Sequence, residues 1–119
     1  MSYDLHIVRG EERYENEAHR ISLEEWRAYV ESDPDLRFAE EGKPYYSPNL
    51  VLLPQGPEDP EGWPWLAWLN GSIYAKYPQE PTVRKMIQIA AHFGAYVIGD
   101  EGERYRLDEQ GEIAVAAFE

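Results

Sequence analysis

Apolar side chains recur along this chain with two periods, and the switches between them mark its elements. From residue 3, "YDLHIVRG" alternates, with Leu5, Ile7 and Tyr3 on one face and Asp4, His6 and Val8 on the other, which predicts a strand. The acidic "EERYENEAHR" that follows has no sustained period and reads as a loop. In "ISLEEWRAYVESDP" the period becomes helical: Leu23, Trp26 and Val30 form one stripe. Ser22 caps the first turn, Glu25 reaches back to complete a capping box, and Ile21 with Trp26 makes the matching hydrophobic staple. Glu24 and Glu25 sit at the positive end of the helix dipole. Asp33-Pro34 ends the element, because a residue before proline is pushed out of helical geometry. Ser22 and Trp26 are thereby assigned to structure.

The middle of the chain is broken by turns. Leu36 to Phe38 and "NLVLLP" read as short strands, separated by the turn-rich "EEGKPYYSP" that carries Tyr45 and Tyr46. "PQGPEDPEG" is a loop within one domain, since the segments on either side need each other for a core. Next, "GWPWLAWLNGSIYAKYP" places three of the four tryptophans just before an Asn-Gly, the strongest short-range hairpin signal. A two-residue turn pairs Leu69 with Ser72, Trp68 with Ile73, Ala67 with Tyr74, Leu66 with Ala75 and Trp65 with Lys76. Leu66, Trp68, Ile73 and Ala75 then share an apolar face that belongs to the core. Trp65, Ala67, Leu69, Ser72, Tyr74 and Lys76 share the other, which is either a half-covered surface or a contact site. A slip of one residue would exchange the two faces.

"PTVRKMIQIAAHFGA" predicts a second helix, with Val83, Met86, Ile87, Ala90 and Gly94 on one stripe widened by Ile89 and Phe93. Pro81 suits its first turn and Gly94 the position just past its end. The chain closes as a meander: Tyr96 to Ile98, Arg104 to Leu107 and Ile113 to Phe118 are strands joined by "GDEGE" and "DEQGE". The order is β-α-β-β-β-β-α-β-β-β or close to it. Residues 1–119 thus form a single α+β domain, a two-layer sandwich. Its mainly antiparallel sheet of about six to seven strands is covered on one face by two helices.

Composition narrows the functional classes. A chain of 119 residues with 43% hydrophobic side chains and nine tyrosines has material for a core. With no cysteine, disulfides, thiolate chemistry and Cys-based zinc sites are excluded. The start lacks a basic segment followed by a long apolar run, and no apolar run approaches a membrane span. A cytoplasmic location is the expectation. The 23 acidic and 11 basic side chains give a formal charge of −12, which repels nucleic acid and anionic lipid and attracts basic proteins.

No catalytic or metal motif stands out. His6, His19 and His92 are scattered, and Asp100, Glu101 and Glu103 in "GDEGE" lack the spacing of an EF-hand loop. Of the serines, Ser22 is a cap, Ser72 flanks a turn, and Ser2 and Ser47 have no evident base. No cofactor is implied. The interaction reading has more to use, because interfaces favour Trp, Tyr and Arg as anchors. Trp65, Tyr74, Tyr45 and Tyr46 are the candidate anchors, with Glu58, Asp59, Glu101 and Glu103 as rim charges that steer a basic partner.

"YDLHIVR", "ISLEEW", "NGSIYAKYP" and "KMIQIAAHFGAYVIGDEGERY", taken together, resemble a small, poorly characterised family of bacterial cytosolic proteins. In size, acidity and α+β build the chain is also similar to immunity proteins, which neutralise toxins used in bacterial competition. That likeness implies a basic protein partner, a cognate toxin, held by the aromatic and acidic residues above. Two alternatives come from other classes. One is a small enzyme or ligand-binding domain with a pocket between sheet and helices; the other is a homodimer that uses the hairpin face.

Overall fold

The structure, a computed structural model, describes residues 4–9, 20–39, 41–42, 50–53, 64–69, 71–76, 78–99 and 102–116. Ten elements follow in the order β1 (Asp4–Val8), α1 (Leu23–Ser32), β2 (Arg37–Phe38), β3 (Leu50–Leu52), β4 (Trp65–Leu69), β5 (Ser72–Lys76), α2 (Glu80–Phe93), β6 (Tyr96–Gly99), β7 (Arg104–Leu107) and β8 (Ile113–Ala116). All eight strands belong to one antiparallel sheet in the spatial order β2-β3-β4-β5-β1-β6-β7-β8. The arrangement is α+β as expected. The strand count exceeds six to seven because even the two-residue β2 pairs, placing Arg37 opposite Leu52 and Phe38 opposite Val51.

Side-chain parity places both helices on one face. Leu5 and Ile7 of β1, Val51 of β3, Leu66 of β4, Ile73 and Ala75 of β5 and Val97 of β6 point the same way in the observed register. They join Trp26, Tyr29 and Val30 of α1 and Val83, Met86, Ile89 and Ala90 of α2 in one buried cluster. α2 lies over β1, β6 and β7, and α1 lies toward β2. The opposite face is not bare, since Val8, Leu52 and Ile98 on it are also buried.

The helix ends follow their sequence signals. Ser22 accepts from the Glu25 N–H at 3.1 Å while its own N–H donates to Glu25 Oε2 at 2.8 Å, the complete capping box. Gly94 closes α2 in the left-handed region, at φ 64°, where its N–H bonds back to Ala90 and Ala91. The buried stripes differ in detail from the periodic reading. Tyr29 is buried and Leu23 only half so; on α2, Thr82 and Lys85 are buried and Ile87 is half-buried.

The hairpin forms in the anticipated register, with Ala67 opposite Tyr74, Trp68 opposite Ile73 and Leu69 opposite Ser72. Its turn is also an anchor for α1. The Ile21 N–H donates to the Gly71 carbonyl at 2.9 Å, and the Trp68 indole N–H donates to the Ile21 carbonyl at 2.8 Å. Gly71 has φ 92°, and a Cβ there would overlap Cβ and Cγ of Arg20, atoms too near the backbone to swing aside. The glycine therefore supplies both the turn and the room for residues 20–22 to cross it.

Gly71→Ala should lower unfolding stability by about 2 kcal/mol or more, because strain at positive φ adds to the overlap. Trp68→Phe should cost about 1 kcal/mol through its lost hydrogen bond. Urea unfolding followed by tryptophan fluorescence and far-UV circular dichroism checks both. An unaltered midpoint for Gly71→Ala would contradict the strapped turn.

Candidate functional site

A cleft opens between α1 and the end of α2. Glu25, Ala28, Tyr29 and Ser32 supply one wall at the i, i+3, i+4, i+7 spacing of a single helix stripe. His92 and Phe93 of the last α2 turn supply the other, and Arg9, just after β1, closes one end. The cavity measures about 420 Å³ and is open to solvent. The Tyr29 ring lies 4.6 Å from His92 and 5.5 Å from Phe93, and it stacks on buried Trp26 at 6.3 Å with 12° between planes.

Two charged latches tie together the elements around this cleft. At one, Arg9 Nε donates to the Phe93 carbonyl at 3.2 Å, Nη1 to the Arg20 carbonyl at 3.3 Å, and Nη2 to Glu25 Oε1 at 2.9 Å. The hydrogen bond from Arg9, then that from the Ser22 N–H, holds the Glu25 carboxyl down to about 2. Arg9 thus joins β1, the start of α1 and the end of α2 through a single guanidinium.

At the other latch, Lys85 is only 5% exposed, with Nζ 2.7 Å from Asp33 Oδ2 and 3.0 Å from Asp35 Oδ2. The Tyr29 hydroxyl donates to Asp33 Oδ2 at 2.7 Å, and the Asp35 N–H donates to Oδ1 at 2.9 Å. Burial pushes the Asp33 carboxyl up, but hydrogen bonds from Lys85 and Tyr29 outweigh it, so the group stays below the ordinary value of 3.8. For Lys85, burial pushes down and the bonds to Asp33 and Asp35 prevail, keeping it above 10.5. Burial and the neighbouring Asp33 carboxylate push the Tyr29 hydroxyl up, so it remains a donor. Asp33 beside Lys85, and Tyr29 beside Phe93, also show that the two helices run antiparallel.

Of the sequence-nominated anchors, Trp65 and Tyr74 lie on the other face of the sheet. Trp65 and Tyr74 are half-buried and pack edge to face, centroids 5.7 Å apart at 89°, with His6 6.4 Å from Tyr74. This is a half-covered surface presenting a fixed ring pair. Glu103 precedes β7 with the parity of Tyr105, on the helix-covered face, and β5, β1 and β6 lie between β4 and β7. It therefore does not rim the Trp65–Tyr74 pair. Tyr45, Tyr46, Glu58, Asp59 and Glu101 lie outside the described residues, as does His19. His6 and His92 stand on opposite faces of the sheet. Among the described residues no group of three or more His, Asp and Glu converges as a metal site, and no helix is long and apolar enough to cross a membrane.

The cleft went unread in sequence because its walls were assigned to core or cap. One signal was present: Lys85 falls among Val83, Met86 and Ile89 on the buried side of α2, where a lysine requires an acid. Comparison with protein-family models, curated proteins and solved structures finds no match to this chain.

Lys85→Met should lower stability by about 3 kcal/mol, since it leaves the Asp33 charge buried beside no cation. Adding Asp33→Asn should recover more than half of that loss, the coupling expected of one network. The linkage signs follow from the shifts. The lowered Asp33 and Glu25 contribute stability that is complete above about pH 4.5 and lost as pH falls toward their folded values. The raised Lys85 contributes stability that is complete below pH 10.5 and lost as pH rises through its folded value. Urea midpoints across pH should show a broad plateau, and Asp33→Asn should flatten its acid shoulder.

Proposed function

We propose that this chain is an acidic protein-binding module of the immunity type, which neutralises a cognate bacterial toxin by occluding a basic active site in the cytoplasm. The observation that carries the reading is the way the fold sorts its charge. Three cations are held in ion pairs: Lys85, buried, onto Asp33 and Asp35, and the partly exposed Arg9 onto Glu25 and Arg84 onto Glu80 and Glu112. Glu24, Glu31, Glu41 and Glu109 remain exposed to solvent. A net charge of −12 then acts outward and accelerates encounter with a basic surface. Trp65 and Tyr74 fit the anchoring role, because each ring already holds the other in place and loses little freedom on binding.

A second reading is favoured by the cleft itself. Its 420 Å³ and its Tyr29, His92 and Phe93 walls suit a small ligand with a flat apolar part. Ala28 lies on the cleft wall and is exposed, so Ala28→Trp fills the cleft without disturbing the core.

The tagged protein should retain one basic protein from a lysate of its host at low salt, release it at moderate salt, and form a defined complex with it after purification. Trp65→Ala with Tyr74→Ala should weaken that complex by about 2 kcal/mol or more, while Ala28→Trp leaves it unchanged. The reverse pattern, binding lost only in Ala28→Trp, would move the site to the cleft and favour the second reading. Equal affinity in all three proteins would remove both sites.

A further inference from the structure

An open sheet has two edges, and they differ here. β2 is two residues long with Arg37 exposed, the usual blunt edge. β8, by contrast, is Ile113-Ala114-Val115-Ala116, without charge or proline. Its ladder shows which backbone groups are outward. The Asp108 N–H donates to the Glu112 carbonyl at 2.8 Å, so those residues form a hydrogen-bonded pair. Such pairs alternate along an antiparallel ladder, and Arg106 faces Ala114 and Arg104 faces Ala116. Ala114 and Ala116 therefore bond to β7, and Ile113 and Val115 turn both N–H and C=O away from the sheet. The neighbouring ladder has the matching phase: the Gly99 N–H donates to the Glu103 carbonyl, which leaves Arg104 and Arg106 to bond with β8.

Side chains reinforce this edge. Val115 is 55% exposed and Leu107 41%, both on the helix-facing side of the sheet. On the opposite side Arg104 and Arg106 flank the alanines, with the Arg104 guanidinium 4.2 Å from the Tyr96 ring centroid. The exposed Arg106 opposes a basic protein at this edge. Ile113 and Val115, with their outward groups, flank Ala114 symmetrically, so the edge is complementary to its own copy.

We propose that β8 pairs with β8 of a second copy, antiparallel about a twofold axis at Ala114, joining two sheets edge to edge. In this register Ile113 of each copy faces Val115 of the other, so every outward N–H and C=O of those residues is paired. The two Ala114 side chains meet at the non-hydrogen-bonded position, where cross-strand approach is closest and a methyl fits. Val115, Ile113 and Leu107 of both copies become one apolar strip. The arginines of the two β7 strands are separated by three strand spacings, roughly 14 Å, beyond the Debye length of about 10 Å at 0.1 M salt. Because β2 is blunt, the assembly closes as a dimer and does not extend.

Sedimentation equilibrium of the intact chain tests this, from about 10 to 500 µM and from about 20 to 200 mM salt. Wild type should shift from 13.8 kDa toward twice that mass with rising concentration. Dimerisation should strengthen with salt as repulsion between the acidic bodies is screened. Val115→Pro removes an outward N–H while leaving the β7 ladder bonds in place, and Val115→Lys keeps the backbone and puts charge on the seam. Each should weaken dimerisation at least tenfold with circular dichroism unaltered; if the proline variant unfolds, the lysine variant decides. A wild type that stays at 13.8 kDa throughout would overturn the proposal, and so would a dimer that persists unweakened in Val115→Lys.

Discussion

Lys85 sets the position of one helix against the other. Apolar burial is non-directional, so the stripes of α1 and α2 alone would permit α2 to slide along the sheet. An ammonium buried to 5% exposure permits no such latitude, because its alternative is an unpaired charge in a low-dielectric core. Its 2.7 Å contact with Asp33 selects one axial position of α2. At that position the last α2 turn comes against Tyr29, and Arg9 reaches the Phe93 carbonyl. The cleft is the space left between these fixed ends.

The sheet imposes a second constraint, of chain order. β1 is first in sequence and near the middle in space, paired with β5 on one side and β6 on the other. Neither pairing is local, so the sheet cannot be completed until both later segments are present. The contact between residues 20–22 and the hairpin turn ties these distant parts together. Ile21 bonds to Gly71, Trp68 bonds to Ile21, and Ser22 caps α1 immediately beyond. The hairpin turn and the α1 cap thus act as one unit, and that unit brings α1 onto the correct face.

Local signals explain what could be read from the sequence. The Asn-Gly turn, the Ser22–Glu25 box, Gly94 and Asp33-Pro34 each act within a few residues, and the elements they bound appear where expected. The parity of the hairpin follows from that turn, so the core face of β4 and β5 was legible as well. The latches were not, because each joins distant residues: Arg9 to Phe93, Lys85 to Asp33, Arg84 to Glu112. Periodicity registers Lys85 as a polar interruption in an apolar stripe, and only Asp33 at the end of α1 gives it meaning. For the same reason Glu103 looked like a companion of the aromatic pair until strand parity separated them.

Charge then distinguishes the surfaces of the molecule. Lys85, Arg9 and Arg84 each bridge separate elements, Lys85 from within the core and the two arginines from partly exposed positions. Arg104 and Arg106 share one face of β7, next to the uncharged β8. A net charge of −12 favours the approach of a basic protein and opposes that of an acidic one. The two kinds of contact differ in their response to salt, because attraction is screened in one and repulsion in the other. Salt alone thus distinguishes the proposed edge-to-edge pairing from the proposed contact with a basic partner.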